Sequence, residues 1–129
     1  MALIFVIDDE PILLDLICAV LRLAGHEVKT APDAGTACSA ILAAQLPIDL
    51  LITDADMKPI SGFQVVKQLR TKHIDCPVIF MSGHHGIAGI ITESFGKGAF
   101  IEKPFTAAEL RTTVQRALAA SQRKSPHVA

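Results

Sequence analysis

Short unbroken apolar runs alternate along the chain with longer stretches whose apolar residues recur at helical spacing. Leu3–Ile7 is the first run, the mark of a strand covered on both faces. Residues 11–24 then place Ile12, Leu16, Val20 and Leu23 on one helical face. Asp9 stands where a cap would, Pro11 suits the first turn, and Gly25 ends the helix. A second strand is predicted over 27–30, and Pro32-Asp33 opens a helix that runs to about Ala44. The run 50–53 is a third strand that ends in Asp54, and Ser61-Gly62 leads into a helix to about Lys72. Residues 77–81 form a fourth strand ending in Ser82-Gly83. A weak helix follows over 86–95, where Gly86 and Gly89 each cost about 1 kcal/mol against Ala. The fifth strand, 99–101, ends in Glu102-Lys103-Pro104. Thr106 and Glu109 make a capping box for a last helix to about Ala120, and the polar tail 121–129 is expected to be loose.

Five strands alternating with five helices predict an α/β fold, a parallel sheet with helices on both faces and right-handed crossovers. Ligands of such sheets bind beyond the carboxyl ends of the strands. With 129 residues, half of them hydrophobic, the chain suits one domain over 1–120 with a self-sufficient core. The net charge of −1 gives no basic stripe, so direct nucleic-acid binding is not expected. Cys18, Cys38 and Cys76 are sparse and odd in number, which reads as reduced thiols in a cytoplasmic protein. Asp8-Asp9-Glu10 cuts off the apolar start, so it is neither a signal peptide nor a membrane span.

Charge changes the picture at the strand ends. Asp8-Asp9 follows strand one, Asp54 strand three, Ser82 strand four and Lys103 strand five. The predicted fold carries all of them to one sheet edge. Several carboxylates within a few ångströms cannot all stay ionised without compensation, and Lys103 brings a single positive charge. Mg²⁺ prefers oxygen ligands and accepts one or two carboxylates beside water and phosphate oxygens. An aspartate carboxylate can also attack phosphorus and become an acyl phosphate. Asp54 is the candidate nucleophile, Lys103 the neutralising charge, and Ser82 a hydroxyl for a phosphoryl oxygen.

Together, Asp8-Asp9, Asp54, Ser82 and Lys103-Pro104-Phe105 resemble the signature of response-regulator receiver domains from two-component signalling. The segment from Asp54 through Met57 to Gly62 resembles the loop after their phosphorylated aspartate, and the likeness spans about residues 2–120. The resemblance implies a flavodoxin-like sheet in the order 2-1-3-4-5. It implies Asp54 as phosphoacceptor and metal ligand, Asp9 as direct Mg²⁺ ligand, Asp8 as holder of metal-bound water, and the Asp56 main-chain carbonyl as a further ligand. Lys103 would pair with the phosphoryl group, Ser82 and Phe100 would act as switch residues, and Lys103–Pro104 would be cis, against a base rate of about 5–6% for X–Pro bonds. A bacterial phosphorelay follows. By the resemblance, the donor would be a phosphohistidine on a sensor histidine kinase or phosphotransfer protein. An output protein is expected to dock on the helix 4, strand 5 and helix 5 surface, and the chain is expected to catalyse only its own phosphoryl transfer and autodephosphorylation.

Four features depart from the commonest pattern. Lys58 precedes Pro59 where a proline is frequent, Asp56 adds an acid, Phe100 lacks a hydroxyl, and His84-His85 follow Ser82. Asp56 and His84 are expected at the pocket mouth, where they tune loss of the phosphoryl group; the histidines have no partner spacing for zinc. Singly, each site residue has a plainer role: Asp9 a cap, Asp54 and Ser82 turn residues, Lys103 a surface charge. Those roles leave the joint placement unexplained. Thr53-Asp54-Ala55-Asp56 also resembles the nucleophile motif of haloacid-dehalogenase phosphatases, but there it ends the first strand of a longer chain. A flavodoxin-like electron carrier conflicts with the acidic first loop, and a receiver-like module that is never phosphorylated conflicts with the complete acidic set. Whether the chain acts alone or is an excised domain stays open at this point, as does homodimerisation.

Overall fold

The apolar runs pair into one parallel sheet. The computed structural model describes residues 2–84 and 86–124. Its strands are β1 (Leu3–Ile7), β2 (Glu27–Ala31), β3 (Leu50–Asp54), β4 (Val78–Ser82) and β5 (Phe100–Glu102). Its helices are α1 (Pro11–Leu23), α2 (Ala34–Ala44), α3 (Gly62–Thr71), α4 (Ile87–Phe95) and α5 (Ala107–Lys124), with a 3-10 turn at Lys97–Ala99. The strand order is β2-β1-β3-β4-β5, all parallel.

The sheet separates two apolar layers, and alternate residues of each central strand feed them. Phe5, Ile7, Leu51, Val78 and Phe80 point to the layer under α2, α3 and α4. Ile4, Val6, Leu50, Ile52, Ile79 and Met81 point to the layer under α1 and α5. Burial on both sides is why these strands read as continuous apolar runs rather than as alternations.

Three local expectations are corrected. The buried face of α1 is Leu14, Ile17, Val20 and Leu21, while Ile12, Leu16 and Leu23 are exposed. Both stripes of this helix are apolar, so periodicity alone does not choose between them. Second, Glu10 and not Asp9 is the N-cap residue of α1, and no side chain caps it. Pro11 already occupies the first turn, where its missing N–H needs no partner. Third, α5 continues to Lys124, so the expected loose tail is helical for its first four residues, and 125–129 lie outside the described residues.

Other expectations hold. Thr106 and Glu109 exchange the two bonds of a capping box on α5; Ser61 and Gln64 form a second one on α3, which was not anticipated. Lys103–Pro104 is cis, and so is Lys58–Pro59, which was not anticipated. All three cysteines are free, and burial pushes the Cys76 thiol up to about 11. Among the described residues no helix is long and apolar enough to cross a membrane. Gly62 matters for the site, because a Cβ there would collide with the main-chain carbonyl of Asp54.

The orientation of α1 makes a direct prediction. Leu21 is 0% exposed and Leu23 is 90% exposed. Leu21→Ala should cost about 2–5 kcal/mol in urea unfolding, and Leu23→Ala less than about 0.5 kcal/mol. Equal losses at the two positions would mean that the helix is rotated from the orientation described.

Candidate functional site

Strand register assembles the site. Ile7 pairs with Thr53, so the residues that leave β1 and the last residue of β3 emerge side by side. Asp54 pairs with Met81 and Ser82 with Glu102, which brings the ends of β4 and β5 to the same edge. The Lys103 N–H donates to the Ser82 carbonyl at 2.9 Å, fixing the start of the loop that carries the lysine. Asp8, Asp9 and Asp54 each offer a carboxylate oxygen, all within 4.8 Å of one another. Asp8 and Asp54 are buried, whereas Asp9 is exposed.

Lys103 is the cation of this cluster. Its Nζ donates to Asp8 Oδ2 at 2.8 Å and lies 3.3 Å from Asp54 Oδ2. Glu10 Oε1 is 3.7 Å away on the solvent side, a partner that sequence reasoning passed over although it adjoins the Asp8-Asp9 pair. Burial pushes the Asp8 carboxyl above its ordinary value, outweighing the hydrogen bonds it accepts from Lys103 and from the Glu10 N–H. Burial also works against the Lys103 ammonium, yet Asp8 and Asp54 hold its pKa above the ordinary value. Three carboxylates against one lysine leave a negative surplus at the mouth, and the donor set is all hard oxygen. That chemistry suits a small divalent cation of the Mg²⁺ type.

The remaining candidates divide. The Asp56 N–H donates to Asp54 Oδ1 at 2.9 Å, so the acidic loop holds the Asp54 carboxylate from the far side. Ser82 is buried at the edge, but its hydroxyl donates to the Asp56 carboxylate at 2.7 Å and accepts from the His84 N–H at 3.0 Å. Sequence reading placed these residues together without foreseeing the bond between the two side chains. Phe100 is half-buried at the start of β5, paired with Phe80, and packs on the layer under α4. His84 is exposed, and His85 lies outside the described residues.

Residues 4–115 match the family profile of the response regulator receiver domain. The chain belongs to the response-regulator receiver family. Over 117 residues this receiver is 32% identical to the nitrogen assimilation regulatory protein NtrX of Azorhizobium caulinodans, covering 89% of the chain and 26% of that protein. It is 29% identical to a chemotaxis protein CheY homolog of Campylobacter jejuni, covering 89% of the chain and 91% of that protein. The crystal structure of the receiver domain of NtrX from Brucella abortus superposes with a TM-score of 0.75 at 34% identity, over 90% of this chain and 98% of that one. The receiver spans about a quarter to a half of the first curated relatives it matches (26%, 50% and 25% of their lengths). Phosphorylation of an aspartate with Mg²⁺ is a general feature of the family, whose receivers are signalling domains.

The raised Asp8 value carries a sign. Folded Asp8 takes a proton more readily than the unfolded chain does, so protonation favours the folded state. That contribution is full below the ordinary value of 3.8 and is lost as pH rises through the higher folded value. In metal-free urea titrations across this acid window, the wild-type receiver should lose stability relative to Asp8→Asn as pH increases. A wild-type-to-variant difference that stays flat over the window would contradict the assignment.

Proposed function

We propose that Asp54 accepts a phosphoryl group from a phosphohistidine and that the receiver then switches a partner-binding surface. The observation that carries this reading is the setting of Asp54. Its buried carboxylate stands at a strand end, with Lys103 at 3.3 Å and two further aspartates within 4.8 Å. A carboxylate oxygen of Asp54 forms the new bond to phosphorus while the phosphorus–nitrogen bond of the donor breaks. The imidazole leaves with that electron pair and regains a proton. Lys103 shifts toward the incoming oxygens, and the Asp56 N–H steadies the other carboxylate oxygen. Autodephosphorylation is the reverse demand on the same groups: water attacks phosphorus, the bond to Asp54 breaks, and the carboxylate returns.

Asp9 and Asp54, with the main-chain carbonyl of Asp56, would hold Mg²⁺ directly, and Asp8 through water. When bound, the ion supplies positive charge against the carboxylates and the phosphoryl oxygens. The domain proper covers 1–120, and a cytoplasmic setting fits its reduced thiols. For output, the α4, β5 and α5 surface with Phe100 is the element that responds. Ser82 would bond the phosphoryl group, and α4 carries glycines within or beside it, so it is a weak element suited to moving.

For the donor, the exposed stripe Ile12, Leu16 and Leu23 on α1 is the favoured docking surface. It begins next to Asp9, so a partner helix laid along it brings a histidine to the acidic mouth. An apolar stripe left uncovered on an amphipathic helix is the usual form of such a contact.

Two experiments follow. Acetyl phosphate with Mg²⁺ should label the wild-type chain once per molecule, and Asp54→Asn should abolish the label. Rapid turnover of a generic phosphate ester with no stable label would favour the phosphatase reading instead. Ile12→Glu with Leu16→Glu should slow transfer from a protein phosphohistidine donor by about tenfold or more, leaving labelling by acetyl phosphate unchanged. Equal slowing with both donors would remove α1 as the docking surface.

A further inference from the structure

We infer that Asp56 is a latch for the switch hydroxyl: it holds Ser82 in the resting state and must release it before the phosphorylated state forms. The inference rests on the reading that the phosphoryl group is carried by Asp54. A serine hydroxyl has one proton to donate. In this structure that proton is committed to Asp56 Oδ2 at 2.7 Å. The oxygen is occupied too, because it accepts from the His84 N–H at 3.0 Å. Ser82 is 0% exposed, so no solvent competes for the hydroxyl. Donation to Asp56 and donation to a phosphoryl oxygen on Asp54 are therefore mutually exclusive.

The same residue also senses the acceptor. The Asp56 N–H donates to Asp54 Oδ1 at 2.9 Å, so one residue touches both the carboxylate to be modified and the hydroxyl that answers it. A phosphoryl group adds about −1.5 to −2 charges. That charge repels the Asp56 carboxylate and attracts the Ser82 proton, so both forces open the latch. Asp56 is itself exposed and can turn its carboxylate to water once released. A hydrogen bond to a charged acceptor is stronger than one to a neutral acceptor, so the negative charge at 56 sets how firmly the resting state is held. Asp56 is thus a positioning residue acting through Ser82, distinct from its main-chain role toward a metal.

The test separates the latch from simple charge repulsion. With Mg²⁺ present, the affinity for beryllofluoride is measured in the full chain for wild type, Asp56→Ala, Asp56→Asn, Ser82→Ala and the double variant Asp56→Ala with Ser82→Ala. Repulsion acts whether or not Ser82 is present; the latch acts only through its hydroxyl. Asp56→Ala should tighten binding about tenfold more with Ser82 present than in the Ser82→Ala background. Asp56→Asn, which keeps an acceptor oxygen without the charge, should fall between Asp56→Ala and wild type. The same factor in both backgrounds, or no tightening, overturns the proposal. A second arm needs neither metal nor phosphoryl analogue. The His84 amide signal reports the Ser82 oxygen, so it should move in Asp56→Ala, and Asp56→Ala should add nothing once Ser82 is Ala. An unmoved His84 amide in Asp56→Ala also overturns the latch. Failure of the underlying reading looks different: wild type itself neither takes label at Asp54 nor binds beryllofluoride, and the amide arm then decides the latch alone.

Discussion

Lys103 against the acidic edge of the sheet is the interaction on which the molecule turns. Its ammonium reaches Asp8 at 2.8 Å and Asp54 at 3.3 Å, across 95 residues of sequence for the first pair. One positive charge does not balance three neighbouring carboxylates, so the edge is left electrostatically incomplete. Like charges at that range repel one another, and an all-oxygen donor set of that charge has the chemistry that suits a small divalent cation.

The sheet around that edge is built to hold it still. β1, β3 and β4 have nearly every side chain buried, and they set the positions of Asp8, Asp54 and Ser82 through backbone register rather than through loops. The close approach at Gly62 brings the start of α3 against the Asp54 carbonyl. The opposite holds on the α4 side. Along α4 only Ile91 is buried, and its end is anchored by Phe95, edge-on to Phe80 at 4.9 Å, with the Arg70 guanidinium 5.4 Å from the Phe95 ring centre. A rigid edge beside a lightly held helix is the arrangement a local charge change needs in order to move something.

Much of this was legible in the chain. The five predicted strands lie within a residue or two of the observed ones; for β1, β3 and β4 the reason is that burial on both faces demands uninterrupted apolar sequence whatever the partners. Asp8, Asp9, Asp54, Ser82 and Lys103 were identifiable because polar residues that end such runs have one place to go. The capping box of α5 was readable for the opposite reason: it is closed within four residues and needs no tertiary information. The box of α3 is closed the same way and was passed over. The face of α1 was not readable. With Ile12, Leu16 and Leu23 competing against Leu14, Ile17 and Leu21, hydrophobicity allows either rotation, and contact with the sheet and α5 selects one.

The sequence by itself determined the element order, the strand-end chemistry and the surplus of negative charge, since each follows from residue type and short spacing. Tertiary structure alone decided which apolar stripe of α1 meets solvent, that Glu10 reaches Lys103, and that the Ser82 hydroxyl is held by Asp56. Those are contacts between side chains far apart in the chain or equal in local preference, and their geometry exists only once the strands have settled in register.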